Sequence, residues 1–158
     1  MRRVFAGLFL AGLLAAHPPH SFAQALVVAN PAGQTHTVDL AELEHLPAIE
    51  ERISFVTGHG GEESTYTGAL LWSVLDHAGM LDGNPRARVH ETVAVTGRDG
   101  YVAVLALAEI DPEFEGKQVL LAYRRDGQPI AGNEVRLVVP GDKRGGRSVR
   151  DVVRIEIR

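Results

Sequence analysis

Turn-forming residues cut this chain into short pieces, and that spacing limits what it can fold into. Asn30-Pro31-Ala32-Gly33, Gly58-His59-Gly60-Gly61, Arg98-Asp99-Gly100, Asp126-Gly127 and the Pro140–Gly146 stretch leave little room for long helices between them. The intervening segments read mostly as strands. Ala25–Ala29 and Thr35–Asp39 form a hairpin, and Ile53, Phe55 and Thr57 alternate with Ser54 and Val56 in a strand that runs into the Gly58–Gly61 loop. Further strands fall over 89–96, 101–105, 119–124, 134–139 and 152–157. Two helices stand out. Asp39 caps 40–45, which Pro47 ends, and Thr67-Gly68 opens a second helix with Leu71, Val74, Leu75 and Ala78 on one stripe and Gly79 as its stop. With 158 residues and no repeat or linker, the fold class is α+β, a single mixed-sheet domain.

The first 23 residues stand apart. A basic start (Met1-Arg2-Arg3), an apolar run from Val4 to Ala16 and the small-x-small Ser21-Phe22-Ala23 are the three parts of a cleaved secretory signal, so the domain occupies 24–158 in an exported, periplasmic protein. The apolar run is short for a bilayer span, and with no cysteine after the signal no lipid anchor is expected. Arg2-Arg3 leaves both the general and the twin-arginine export routes open. Cleavage removes two of the 16 basic residues, leaving 14 against 20 acidic, a net charge of −6. Such a chain has no general positive field for nucleic acid. The absence of cysteine excludes disulfides, thiolate catalysis and thiolate metal ligands together.

Three glycine-punctuated loops concentrate the polar residues: 58–61 with His59, 97–101 with Asp99 and Tyr101, and 140–150 with Asp142, Lys143, Arg147, Ser148 and Arg150. Glycine lets backbone approach a ligand closely, so these loops read either as a binding site or as solvated turns. The third is the most pointed, because its like charges, joined by Arg136 on the preceding strand, repel one another unless an anion or polar ring relieves them. Trp72, the only tryptophan, is either a stacking platform or rim packing. His36, His45, His59, His77 and His90 show no metal-ligand spacing, and no metal site is expected. Neither a Ser-His-Asp order nor a nucleotide-binding fingerprint occurs, and Glu109 with Asp111 offers little as a catalytic pair.

The stretches TYTGALLWSVLDHAG, VAVTGRDGYVAVLALAEID, LLAYRRDGQPI and RLVVPGDKRGGRSVRDVVRIEI resemble, in order and spacing, the molybdopterin-binding domain of the sulfite oxidase superfamily. The resemblance runs from about Leu26 to the C-terminus. It implies a pterin held by the glycine loops, with Asp99 accepting from the ring's amino edge, Arg136, Arg147 and Arg150 donating to carbonyl and tail oxygens, and Trp72 or Tyr101 supplying the stacking face. Family enzymes hold molybdenum through a cysteine in the loop between the 53–57 strand and the 70–78 helix. Here that loop reads Gly58-His59-Gly60-Gly61-Glu62-Glu63. In lacking sulfur the chain is most similar to exported, non-catalytic pterin-binding proteins that act on the periplasmic domain of a membrane-bound cyclic-di-GMP enzyme. The ligand so implied is a neopterin- or monapterin-like pterin without molybdenum. The alternative is a molybdopterin-dependent oxidoreductase that lacks the usual metal ligand.

Overall fold

The structure, a computed structural model, describes residues 25–158; the expected leader over residues 1–23 lies outside the described residues. Asn30 closes the first hairpin: its carbonyl accepts from the Gly33 N–H at 3.0 Å and its side-chain oxygen from the Gln34 N–H at 3.0 Å. The strands on either side are β1 (Ala25–Ala29) and β2 (Thr35–Asp39). Asp39 then caps α1 (Leu40–His45), accepting from the Glu42 N–H at 2.8 Å, and Leu43 anchors that helix in the core.

Next come β3 (Ala48–Thr57), β4 (Gly60–Leu70) and α2 (Leu71–His77). This corrects two expectations. The residues 60–70, read as loop and helix start, form a long strand paired antiparallel with β3 along its whole length, and the helix begins only at Leu71. Gly68 is the reason. A Cβ there would lie 2.2 Å from the Leu121 carbonyl oxygen, so this glycine marks a close strand crossing at a register shift, not a helix cap. A further short helix, α3 (Pro85–Arg88), was not expected, and the turn that follows it delays the strand expected from Val89 until Thr92; Asn84 caps the helix, with Pro85 at the first helical position.

The remaining elements are β5 (Thr92–Gly97), β6 (Val102–Ala106), α4 (Leu107–Ile110), β7 (Leu120–Arg125), β8 (Gln128–Pro129), β9 (Arg136–Val138) and β10 (Val152–Ile157). They build two five-stranded sheets. One runs β2-β1-β10-β5-β6 with β1 and β10 parallel, which makes it mixed; the other runs β3-β4-β7-β8 with β9 beside β7. Side chains alternate across the second sheet. Leu121 and Leu137 point into the main core with Leu26, Val28, Leu71, Leu75, Val93 and Ile155. Their neighbours Leu120 and Val138 face the other way, into a smaller cluster with Ile53, Phe55, Tyr66 and Ala122. Arg136, two residues from Val138 and opposite Ala122 in register, emerges on that second face. Among the described residues no helix is long and apolar enough to cross a membrane.

Candidate functional site

The 140–150 loop is held from both sides. The Val56 N–H of β3 donates to the Lys143 carbonyl at 3.0 Å, and the Tyr101 hydroxyl, from the turn between β5 and β6, donates to the Gly146 carbonyl. Gly145 lies against the Phe55 ring so closely that a Cβ there would sit 3.0 Å from two ring carbons. Between the loop and β3 opens a cleft of about 420 Å³, lined by Phe55, Thr57, Arg136, Arg144, Ser148 and Arg150 among others. A second cleft of about 260 Å³, lined by Asp99, Tyr101, Gly145, Ser148 and Arg150, shares its last three residues with the first. The pair falls in the range of small-ligand sites, roughly 300–1,000 Å³.

The floor of the larger cleft is built by strand register. Phe55 stands opposite Glu62 across the β3–β4 hairpin, and Tyr66 lies two same-face positions further along β4, past Ser64. The Tyr66 hydroxyl donates to Glu62 Oε1 at 2.7 Å, and the nearly buried Arg136 donates to the same oxygen at 3.3 Å and to Ser148 Oγ at 2.9 Å. The Arg136 guanidinium also covers the rings of Tyr66 and Phe55, at 5.4 and 5.8 Å from their centroids. Burial works against the charged Glu62, but the Tyr66 hydroxyl and the charges of Arg136, Arg125 and Arg150 outweigh it and hold its carboxyl below the usual range. Burial first, and then the bond to Glu62, push Tyr66 up to about 12.

The cationic residues therefore divide by role. Arg136 is spent on Glu62, Ser148 and the two rings. Arg147 is spent as well, which corrects the expectation that it faces a ligand. Its Nε and one terminal nitrogen grip Asp142 at 2.9 and 2.6 Å, and the other terminal nitrogen donates to both oxygens of Glu109 at 3.1 and 3.2 Å. Asp142 first, and then Glu109, hold Arg147 charged well above its ordinary value. Lys117 binds the same Glu109 at 2.7 Å, so this carboxylate is structural, as is Asp111 beneath Arg88. Arg144 and Arg150 are exposed, line the cleft and form no side-chain hydrogen bond or ion pair among the described residues.

Of the other expected residues, Asp99 and Tyr101 line the smaller cleft, with Asp99 Oδ1 accepting from the Tyr101 N–H at 2.9 Å and Oδ2 making no hydrogen bond among the described residues. The Ser148 hydroxyl donates to the Leu137 carbonyl at 3.1 Å and accepts from Arg136 Nε, so it orients that guanidinium. Asp142 serves Arg147, and the exposed Lys143 contributes its carbonyl to the loop's attachment. His59 sits at the hairpin tip beside the cleft mouth, not in its lining. Trp72 is not at the site either: it packs on the main core with the Arg88 guanidinium 5.5 Å above its ring. Phe55, Glu62, Tyr66 and Arg144 join the site without having been expected there. The alternation of Phe55 with Thr57 hinted at the first, and the basic cluster of the 140–150 loop, to which Arg144 belongs, at the last.

Residues 23–158 match the family model described as the oxidoreductase molybdopterin binding domain. Among solved structures, the crystal structure of the sulfane dehydrogenase SoxCD from Paracoccus pantotrophus superposes with a TM-score of 0.70 at 17% sequence identity, over 90% of this chain and 40% of that one. The present chain thus spans well under half of that protein's length and shares its fold. No curated protein sequence matches it.

Proposed function

The chain belongs to the oxidoreductase molybdopterin-binding domain family, and from that premise we propose that it is an exported, non-catalytic protein that holds a neopterin- or monapterin-like pterin in the paired clefts. One observation carries this reading: Arg144 and Arg150, two arginines without ion-pair partners among the described residues, line a small-ligand cleft in a chain that has no cysteine. A pterin is a flat polar ring with a hydroxylated tail. The half-exposed Tyr101 ring offers it a face, the free oxygen of Asp99 an acceptor for the amino-pyrimidine edge, and Arg150 and Arg144 donors for carbonyl and tail oxygens.

The molybdenum-bearing form of the cofactor brings a metal that can shuttle electrons and oxygen, and the donors here do not fit it. At the place of the family's cysteine stands a tight hairpin, and its carboxylate, Glu62, is committed to Tyr66 and Arg136. Neither a carboxylate nor the imidazole of His59 replaces a soft thiolate. The residues of this chain thus bind and orient a ring without moving electrons.

The proposed partner is the periplasmic domain of a membrane-bound cyclic-di-GMP enzyme, a reading supported by the resemblance to the exported, cysteine-free forms. Purification from the periplasm followed by acid release, fluorescence and mass spectrometry tests the ligand, with metal analysis and N-terminal sequencing alongside. The expected result is a stoichiometric pterin, no molybdenum and a mature start near Gln24. Stoichiometric molybdenum with sulfite- or sulfoxide-directed turnover would replace this reading with that of an oxidoreductase.

A further inference from the structure

We propose that His36, Glu42 and His77 form a binding site for a first-row divalent cation, zinc in the first instance, separate from the residues that line the pterin cleft. The three come from different elements, β2, the first turn of α1 and the last turn of α2. Both imidazoles aim Nε2 at the same carboxylate oxygen, Glu42 Oε1, at 3.0 Å from His36 and 2.8 Å from His77. One donor atom from each residue lies within 4.8 Å of the other two.

Those distances suit a metal. Donors at about 2.0–2.1 Å from a tetrahedral zinc stand roughly 3.3 Å apart, so two of the three separations need to lengthen by only a few tenths of an ångström. The two rings meet edge to face, with centroids 6.3 Å apart at 86°, so each can turn its nitrogen lone pair to a common point without stacking on the other. Each element is anchored independently. Val38 fixes β2, Leu43 fixes α1, and Val74 with Leu75 fixes α2, all fully buried. Asp39, capping the Glu42 N–H, holds the carboxylate at the start of its helix.

The chemistry selects the cation. Two nitrogens and one oxygen form the two-histidine, one-carboxylate set that suits zinc and its neighbours, whereas magnesium and calcium ask for oxygen alone. The side chains of His36 and His77 are 42% and 45% exposed, which leaves water free to complete the coordination. Linear spacing hides the set, since 34 residues separate Glu42 from His77 and the intervening chain is the β3–β4 hairpin.

The test uses untagged protein stripped with EDTA. Calorimetric titration with zinc is expected to show one site per chain in the micromolar range or tighter, and cobalt(II) to give the intense visible bands of four-coordination. His36→Ala and His77→Ala should each weaken zinc binding about 100-fold, and zinc should raise the Tm of the wild type but not of the variants. Glu42→Gln, which keeps the hydrogen-bonding shape, guards against a merely unfolded variant: it should melt within a few degrees of wild type and still lose most of its zinc affinity. Absence of one-to-one binding at millimolar zinc overturns the proposal, as does equal binding by the three variants or loss of the site on His59→Ala. Thermal stabilisation by magnesium equal to that by zinc would overturn the assigned selectivity as well.

Discussion

Arg147 and Arg150 lie three residues apart in one loop, and replacing each with alanine should give opposite results. Arg147 makes two charge-assisted contacts to Asp142 and two to Glu109. Each such bond is worth about 1.5–3 kcal/mol when well shielded. The side chain is 33% exposed, so solvent screening lowers that figure, and Glu109 retains Lys117 after the change. A net loss of about 2 kcal/mol follows, which for a domain of this size lowers the Tm by about 6–10 °C. Arg150 makes no such bond among the described residues and acts on Glu62 only through its charge, so its removal should cost no more than about 0.5 kcal/mol, a Tm change within about 2 °C. Its effect should fall on the ligand, weakening pterin binding about ten- to a hundredfold. Differential scanning calorimetry with fluorescence titration of oxidised and reduced pterins reads both quantities on both variants. The division of labour is refuted if Arg147→Ala loses affinity at unchanged Tm, or if Arg150→Ala melts early and binds like wild type.

Three further outcomes follow from the packing. Gly68→Ala should cost at least about 3 kcal/mol or prevent folding, because its Cβ meets Leu121 backbone at 2.2 Å and no side chain can move aside; soluble yield and denaturant midpoint measure it. Although burial opposes its charge, Glu109 has its carboxyl held below its ordinary value of 4.5 by Lys117 and Arg147. Its contribution is therefore complete above pH 4.5 and lost as the pH falls below that value, so Glu109→Gln should flatten the acid limb of the stability–pH curve in urea titrations. Spectrophotometric titration in alkali should show Tyr66 ionising last, near pH 12, and Tyr66→Phe should remove that final step.

Much of the framework could be read from the residues in order. The Asn30–Gly33 hairpin, the Asp39 cap, the stop at Gly79 and the strand 152–157 all follow from local chemistry, and the α+β mixed-sheet architecture of the sulfite oxidase type holds. Reading failed at β4, where Glu62, Glu63, Ser64 and Thr65 lack the apolar alternation of a strand because both faces carry polar contacts there: Glu62 and Ser64 bond Tyr66, Arg136 and Arg125 on one, and Glu63 pairs with Arg52 on the other. Gly68 misled for a related reason: its lack of a side chain serves a neighbour 53 residues away at Leu121, which no local rule detects. In the site, the loops could be found but the pairing of charges could not. Basic residues in 136–150 look alike in sequence, yet Arg136 and Arg147 are neutralised by Glu62 and Glu109, which are remote along the chain. Trp72 reads from sequence either as a stacking platform or as packing, and the structure selects packing, with Arg88 over its ring.

The pairing of β10 between β1 and β5 has a temporal consequence. Among the described residues the last strand in sequence is the central one of its sheet, and β1 waits for it across more than a hundred residues. Closing so large a loop is entropically slow, and before it closes β1 has only its hairpin partner β2 to hold it. A nascent chain of this kind therefore remains threadable until Val152–Ile157 has been made. Whatever machinery handles the polypeptide during synthesis meets a sheet still open at its centre, which closes only when Val152–Ile157 slots between β1 and β5.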